Sequence, residues 1–321
     1  MSNLQKTNLA TTVTITSSYS GEFSSKYISA ALLSGNTLSS GVVEIMPNVK
    51  YKSVIQRVET GSLVADGSCD FTPDSSVTLS EIVCEPEDFQ VNLQLCKADF
   101  INTWDAIQMG ISAYNPNGLP SSFSDYLIAH VSGKVAEHIE ETLWEGTNAT
   151  GGEFDGFWTL GDASASTVKV AGTTVNAGNV IAELGKIIDA IPSKVYGKDD
   201  LYLYISQNMA KAYVRALGGF GSFLNAENNS GTDAKGTQWY NGTAGLSFDG
   251  VQIFVANGLA DNHAMCGLKQ DFIFSTGLLN DTNEVKLLDM SDLDGSQNVR
   301  VIMRMTATAN LGIESDIVVY G

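Results

Sequence analysis

Asp261, His263 and Cys266 stand close together and supply the residue types of a nucleophilic triad, in which a thiolate attacks, an imidazole moves the proton and a carboxylate orients the ring. No oxyanion-forming motif surrounds them, and proximity along the chain is not geometry, so the segment reads as a loop. His130 and His138 lie two helical turns apart, with Glu137, Glu140 and Glu141 around the second. A metal-binding helix places its ligands at i and i+3 or i+4. Only His138 and Glu141 meet that spacing, and there is no H-E-x-x-H run. The histidines are therefore expected at semi-buried or interfacial positions. The three acids are expected on a solvated flank or opposite the Lys and Arg side chains of a neighbouring subunit.

Gly218-Gly-Phe-Gly221 lacks the spacing of a dinucleotide fingerprint. Gly133-Lys134, Gly185-Lys186 and Gly197-Lys198 are not followed by the Ser or Thr of a phosphate loop. The four cysteines, Cys69, Cys84, Cys96 and Cys266, form no C-x-x-C pair and have no His at ligand spacing. They are expected as reduced, semi-buried apolar residues, with a Cys69–Cys84 bridge disfavoured in a reducing cytoplasm. Sequons at Asn148, Asn228 and Asn241 mean nothing without a secretory signal. The chain is thus expected not to be an enzyme, with no catalytic residue, no cofactor and no metal, and to act through its surfaces.

The elements that must build those surfaces come from 321 residues, of which 43% are hydrophobic and 17% charged, enough for one large or two modest cores. Eighteen Lys and Arg against 36 Asp and Glu leave a net charge of -18, which repels phosphate backbones and anionic lipid surfaces. No apolar signal region follows Met1, and no window approaches the ~18 apolar residues of a membrane helix.

Residues 1 to about 40 are rich in Ser, Thr, Ala and Gly and read as an arm, with one short helical spacing through Phe23, Tyr27, Ile28, Leu32 and Leu33. Val49 to Val58, Val77 to Val83 and the strictly alternating Phe89 to Leu95 read as strands of a long hairpin or two nested ones, with Ala65-Asp-Gly-Ser68 suited to the reversal. Phe100, Trp104 and Ile107 share a helical face. After Pro120, apolar residues at three- and four-residue spacing, among them Leu127, Val131, Val135, Ile139 and Leu143, predict a long helix from Ser122 to its stop at Gly146. Helix 177–191, strand 201–205 and helix 207–217 then indicate a mixed α/β domain. A polar loop over 219–247 carries Trp239 and Tyr240, and strands return at 251–255, 272–274, 299–303 and 317–320.

This order resembles the capsid subunit of tailed bacteriophages, the Hong Kong 97 fold. The likeness is carried by Phe89-Gln-Val-Asn-Leu-Gln-Leu-Cys-Lys-Ala-Asp-Phe-Ile-Asn-Thr-Trp104, by Ser122 to Gly146 ending in Glu-Thr-Leu-Trp-Glu-Gly, and by Ile187-Ile-Asp-Ala-Ile-Pro192. Leu201 to Ser206, Ala210 to Gly219 and Gly250-Val-Gln-Ile-Phe-Val-Ala-Asn-Gly258 complete it. The resemblance implies an α+β fold with an N-terminal arm at 1–41 and an extended β-hairpin loop at 42–97. It further implies a peripheral domain of 98–172 and 285–321 with a spine helix at 122–145, and a mixed α/β axial domain at 173–284.

It also implies a major capsid protein of the virion, made in the host bacterial cytoplasm and self-assembling into hexamers and pentamers around double-stranded DNA without sequence-specific binding. A hairpin reaching out of a globular body cannot bury its own apolar positions, so Leu63, Val64, Phe71, Val77 and Leu79 are expected at inter-subunit contacts, together with Trp239 and Tyr240. The implied partners are a portal protein, a separate scaffolding protein, because the chain reaches its loop within about forty residues of Met1, and decoration or cement proteins. The founding member cross-links a loop lysine to a neighbour's asparagine, whereas no lysine lies between Lys52 and Lys97, so non-covalent contacts are expected here. An encapsulin-type compartment protein and a β-rich carbohydrate-binding module using Trp158, Trp239 and Tyr240 are the alternatives.

Overall fold

The computed structural model describes residues 36–49, 51–60, 77–96, 121–217, 246–277, 285–290, 296 and 298–321. In chain order the elements are α1 (Asn36–Ser40), β1 (Glu44–Pro47), β2 (Ser53–Thr60), β3 (Val77–Cys84), β4 (Glu87–Cys96), α2 (Ser121–Glu145), α3 (Phe157–Ala163) and β5 (Val168–Val170). There follow α4 (Val180–Asp189), β6 (Leu201–Ile205), α5 (Gln207–Leu217), β7 (Leu246–Phe248), β8 (Val251–Val255), β9 (Ala264–Leu268), β10 (Phe272–Thr276), β11 (Val285–Asp289), β12 (Asn298–Leu311) and β13 (Val318–Tyr320). They fall into two compact units. One holds the described residues among 88–137 and 278–306, and the other those among 35–87, 138–277 and 307–321.

The larger unit is built on a mixed sheet in the order β5-β13-β9-β6-β8-β7. Strand β6 is an almost unbroken apolar run, Leu-Tyr-Leu-Tyr-Ile, because both faces of the sheet are covered. Leu201, Leu203 and Ile205 share one cluster with Ala264, Cys266 and Leu268 of β9, with Val180, Leu184, Ile187 and Ile188 of α4, and with Met209, Ala210 and Tyr213 of α5. Helix α4 closes this face because its apolar residues recur at three- and four-residue steps, and the chain leaves the helix just before Pro192.

Tyr204 turns to the opposite face and meets Trp144 near the end of α2, with ring centroids 5.1 Å apart. Trp144 also packs edge-on to Phe157 of α3 at 5.5 Å and lies 6.3 Å from Phe272 of β10. These rings are fully buried. Each removes on the order of 150–250 Å² from water, which makes the cluster the largest apolar contribution around the helix end.

A strap over residues 36–47 runs beside this cluster. The Tyr204 hydroxyl donates to the carbonyl of Val42 at 2.6 Å, and β1 pairs in parallel with β10 from Glu44↔Ile273 to Pro47↔Thr276. Strand β10 in turn pairs antiparallel with the second half of β12, Phe272↔Leu311 to Thr276↔Ala307. In the smaller unit β12 continues between β11 and β4. Val299, Val301, Met303 and Met305 are buried while Arg300 and Arg304 are exposed, the period-two burial of a sheet covered on one side. Helix α2 buries Ile128, Val131 and Val135 there at the same three- and four-residue spacing seen in the sequence.

Three expectations change. Phe89–Leu95, read as a strand of the hairpin, lies in β4, which pairs with β12 and not with β2 or β3, so its alternation reflects the sheet of the smaller unit. The segment holding Cys266 is not a loop from Ala264 onward but strand β9, paired on one side with β6 and on the other with β13. Its Asp, Asn and His neighbours suggested a turn, but they end at His263, and five consecutive residues beyond it are buried. Strand β12 is 14 residues long rather than the expected 299–303, since Thr-Ala-Thr-Ala continues the alternation with side chains too small to register as a strand pattern.

Candidate functional site

The residues singled out for chemistry are not assembled into a reactive site. Cys266 lies in the core of the six-stranded sheet, and burial pushes its thiol pKa up to about 12, so it stays protonated and un-nucleophilic at neutral pH. His263 faces a different partner: its Nδ1 lies 2.7 Å from Glu145 Oε1, and its ring stacks on Trp158 at 4.0 Å with the planes 3° apart. Glu145 Oε1 also accepts the Ala260 amide at 3.1 Å, and the Trp158 indole donates to the Tyr320 carbonyl at 3.4 Å. These contacts fasten the end of α2 and the start of α3 to the ends of strands β9 and β13.

The acids of α2 separate in the same way. Glu137 pairs with Lys134 at 2.6 Å, and that hydrogen bond and charge hold its carboxyl below the usual range. His138 Nε2 lies 2.8 Å from the carbonyl of Gly152. Glu140, expected on a solvated or interfacial flank, is buried instead. It accepts the Thr37 amide at 3.0 Å and the Thr37 hydroxyl, while the Trp144 indole donates to Thr37 Oγ1 at 2.9 Å. Burial raises the Glu140 pKa, and the Thr37 hydrogen bonds partly oppose it. Ser132, Ala136 and Glu140 lie at four-residue steps on the buried stripe of α2, so the spacing contained this placement. Among the described residues no group of three or more His, Cys, Asp or Glu is placed to hold a metal ion.

What remains exposed and apolar is a surface. Strands β2 and β3 form an antiparallel ribbon in register from Ser53↔Cys84 to Thr60↔Val77, and they pair with no other strand among the described residues. Ile55 and Ile82 pair across it and are half-buried, and Cys84 is fully buried at the base. The alternate pair Val54↔Val83 faces water at 48% and 46% exposure, Leu79 beyond it at 65%, and Tyr51 just before the ribbon at 86%. Alternation puts Glu81, also exposed, between Val83 and Leu79 on that side.

Solved capsid structures match this chain over most of its length. A subunit of the cyanophage A-1(L) capsid matches at 11% identity with a TM-score of 0.59, covering 88% of this chain and 91% of its own. The capsid of a native GTA particle matches at 12% identity and a TM-score of 0.57, covering 91% and 89%. The chain has the fold of a phage capsid subunit. A virus-like particle from Pyrococcus furiosus shares it, at 10% identity and a TM-score of 0.51 over 94% of this chain and 100% of that one. No protein-family model and no curated protein matches the sequence. The α+β, Hong Kong 97-like class implied by the sequence resemblance is therefore met at the level of the fold.

Within this capsid fold, Leu79 is the expected contact residue whose exposure is defined, and Val77 pairs with Thr60 at the far end of the ribbon. Leu63, Val64, Phe71, Trp239 and Tyr240 lie outside the described residues. Tyr51, Val54 and Val83 were not singled out from sequence. Val54 and Val83 sit in β-branched runs that read equally well as half-buried strand, and only the register between the two runs shows that they share the open face.

Proposed function

We propose that this chain is a major capsid protein that assembles into hexamers and pentamers and closes them into a shell around packaged double-stranded DNA. The observation that supports it is the β2–β3 ribbon, which, on a capsid-subunit fold, presents Val54, Val83 and Leu79 to water. An isolated two-stranded ribbon is marginal in water and cannot cover its own apolar side. A neighbouring subunit that covers it, and is covered in turn, generates a closed ring. Leu63, Val64, Phe71, Val77, Trp239 and Tyr240 belong to the same contacts in this reading.

The proposal carries the sequence division with it: an arm at 1–41, an extended loop at 42–97, a peripheral domain at 98–172 and 285–321, and an axial domain at 173–284. The shell subunit performs no catalysis and encloses DNA without sequence-specific binding. It is made in the bacterial cytoplasm and works with a portal, a separate scaffolding protein and decoration or cement proteins. Non-covalent contacts hold it together, individually modest and summed over many copies.

Negative-stain electron microscopy of the purified full chain, alone and co-expressed with its neighbouring genes, is expected to show rings, tubes or closed shells. Leu79→Asp should leave the thermal stability of the monomer within about 0.5 kcal/mol, as surface substitutions do, and abolish those assemblies. A parent that stays monomeric under every condition, or Leu79→Asp assembling normally, would refute the reading.

A further inference from the structure

The strap over residues 36–47 is fastened in two different ways. From Glu44 to Pro47 it is strand β1, held on β10 by backbone pairing that does not titrate. At α1, side chains hold it instead. Asn36 Nδ2 donates to the Val255 carbonyl at 2.9 Å, and Thr37 donates its amide, at 3.0 Å, and its hydroxyl to the Glu140 carboxylate of α2. The Trp144 indole donates to Thr37 Oγ1 at 2.9 Å. Thr37 is fully buried and Glu140 is only 5% exposed, so an ionisable group lies under the strap at the point where it crosses the helix.

The charged groups around Glu140 are turned elsewhere. From Asn36 to Val43 the strap has no titratable side chain. On α2, Glu137 pairs with Lys134, Glu145 with His263, His138 meets the Gly152 carbonyl, and Glu141 is exposed. The turn after β8 lays Gly258 against the Glu140 backbone and carries Asp261 into solvent, and Tyr204 of β6 spends its hydroxyl on the Val42 carbonyl. Burial opposes the charge on this carboxylate, and the Thr37 donors offset that only in part. Neutral Glu140 keeps the contacts: one oxygen accepts the Thr37 amide, and the other carries a hydroxyl directed at Thr37 Oγ1. Charged Glu140 regains hydration if α1 lifts, and Leu38 is the one large apolar side chain that α1 must withdraw. We propose that Glu140 is a proton-operated latch on α1: neutral, it holds residues 36–40 against the spine of α2, and charged, it lets them lift while β1 stays paired. The hold is therefore complete below the ordinary carboxylate range and weakens as pH rises through the raised folded value. The inference concerns a single subunit and does not depend on the shell reading.

The test is hydrogen–deuterium exchange of the full chain, followed by mass spectrometry at about pH 4 and about pH 7, with each rate divided by the intrinsic rate at that pH. Protection of residues 37–40 should fall at least about threefold from the lower pH to the higher, while that of residues 44–47 changes by less than about twofold. Glu140→Gln, uncharged at both values, should keep residues 37–40 at the protection the parent shows in acid. Thr37→Val, which removes the hydroxyl from the latch, should lower their protection at both. Equal protection of residues 37–40 at the two pH values in the parent overturns the inference, as does a loss that persists in Glu140→Gln. Loss of residues 37–40 and 44–47 together would also overturn it, since the strap would then open as one piece.

Discussion

Gly258→Ala should destabilise the folded chain by about 3 kcal/mol or more, the upper end of the range for overpacked interiors. A Cβ at this position would stand 2.0 Å from the Glu140 carbonyl oxygen, 2.7 Å from the Glu140 carbonyl carbon and 2.9 Å from the Glu141 Cα. All three are backbone atoms of α2, so no side-chain rotation relieves the clash. The helix, or the turn after β8, must retreat by about 1 Å to reach ordinary contact, opening a layer that is close-packed. The same segment of α2 carries Glu140, Leu143 and Trp144 into the core, so a retreat also loosens the Thr37 hydrogen bonds. Gly185→Ala supplies the control. Gly185 lies inside α4 with nothing within 4 Å of its added Cβ, so the change should stabilise by about 0.5–1 kcal/mol through helix propensity. Urea unfolding followed by circular dichroism gives both values from shifts in midpoint at constant m. A Gly258→Ala cost under about 1 kcal/mol, with shell formation intact, would refute the close backbone approach as a determinant of the fold.

Two further outcomes follow from the buried polar groups. Because the folded-state pKa of Glu140 is raised, its contribution to stability is fully present below the ordinary carboxylate range and is lost as pH rises through the raised folded value. Relative to Glu140→Gln, the parent should therefore be more stable at about pH 4 than at pH 7 in urea unfolding, and a difference independent of pH would contradict the burial argument. Cys266, with its thiol pushed up to about 12, should escape alkylation by iodoacetamide at pH 8 in the folded chain and react once unfolded, as peptide mapping by mass spectrometry would report. Native-state labelling of Cys266 would show that β9 opens.

The parts of this fold that could be read from sequence are those in which one helix or strand sets its own pattern. The apolar steps of α2, the alternation of β4 and the apolar run of β6 each reflect how many of their faces are covered, a local property. Strand β9 could not be read that way, because its strand state comes from lying between β6 and β13, one of which is contributed from 50 residues further on. The Thr37–Glu140 bond spans 103 residues, and Thr37 sits in a segment whose Ser and Thr content looks like an unstructured arm. The open side of the ribbon was half legible. Leu79 could be named from the hairpin argument, but Val54 and Val83 needed the register, since a slip of one residue would send both to the other face.

The acids of α2 hold the fold together and are not free to react. A general acid or base needs a lone pair or proton within reach of a ligand. Glu140 has its carboxylate occupied by Thr37 and enclosed beside Trp144, and Glu145 has an oxygen committed to both the Ala260 amide and His263. An unpaired buried carboxylate would cost several kcal/mol, and at Glu140 the hydrogen bonds from Thr37 offset part of that penalty. Each of those bonds joins α2 to a segment more than 100 residues away: the strap at Thr37, and the turn from Ala260 to His263 that leads into β9. A carboxylate used this way fixes position and register rather than reactivity. The same bonds hold two distant segments, the strap and the turn before β9, against one helix.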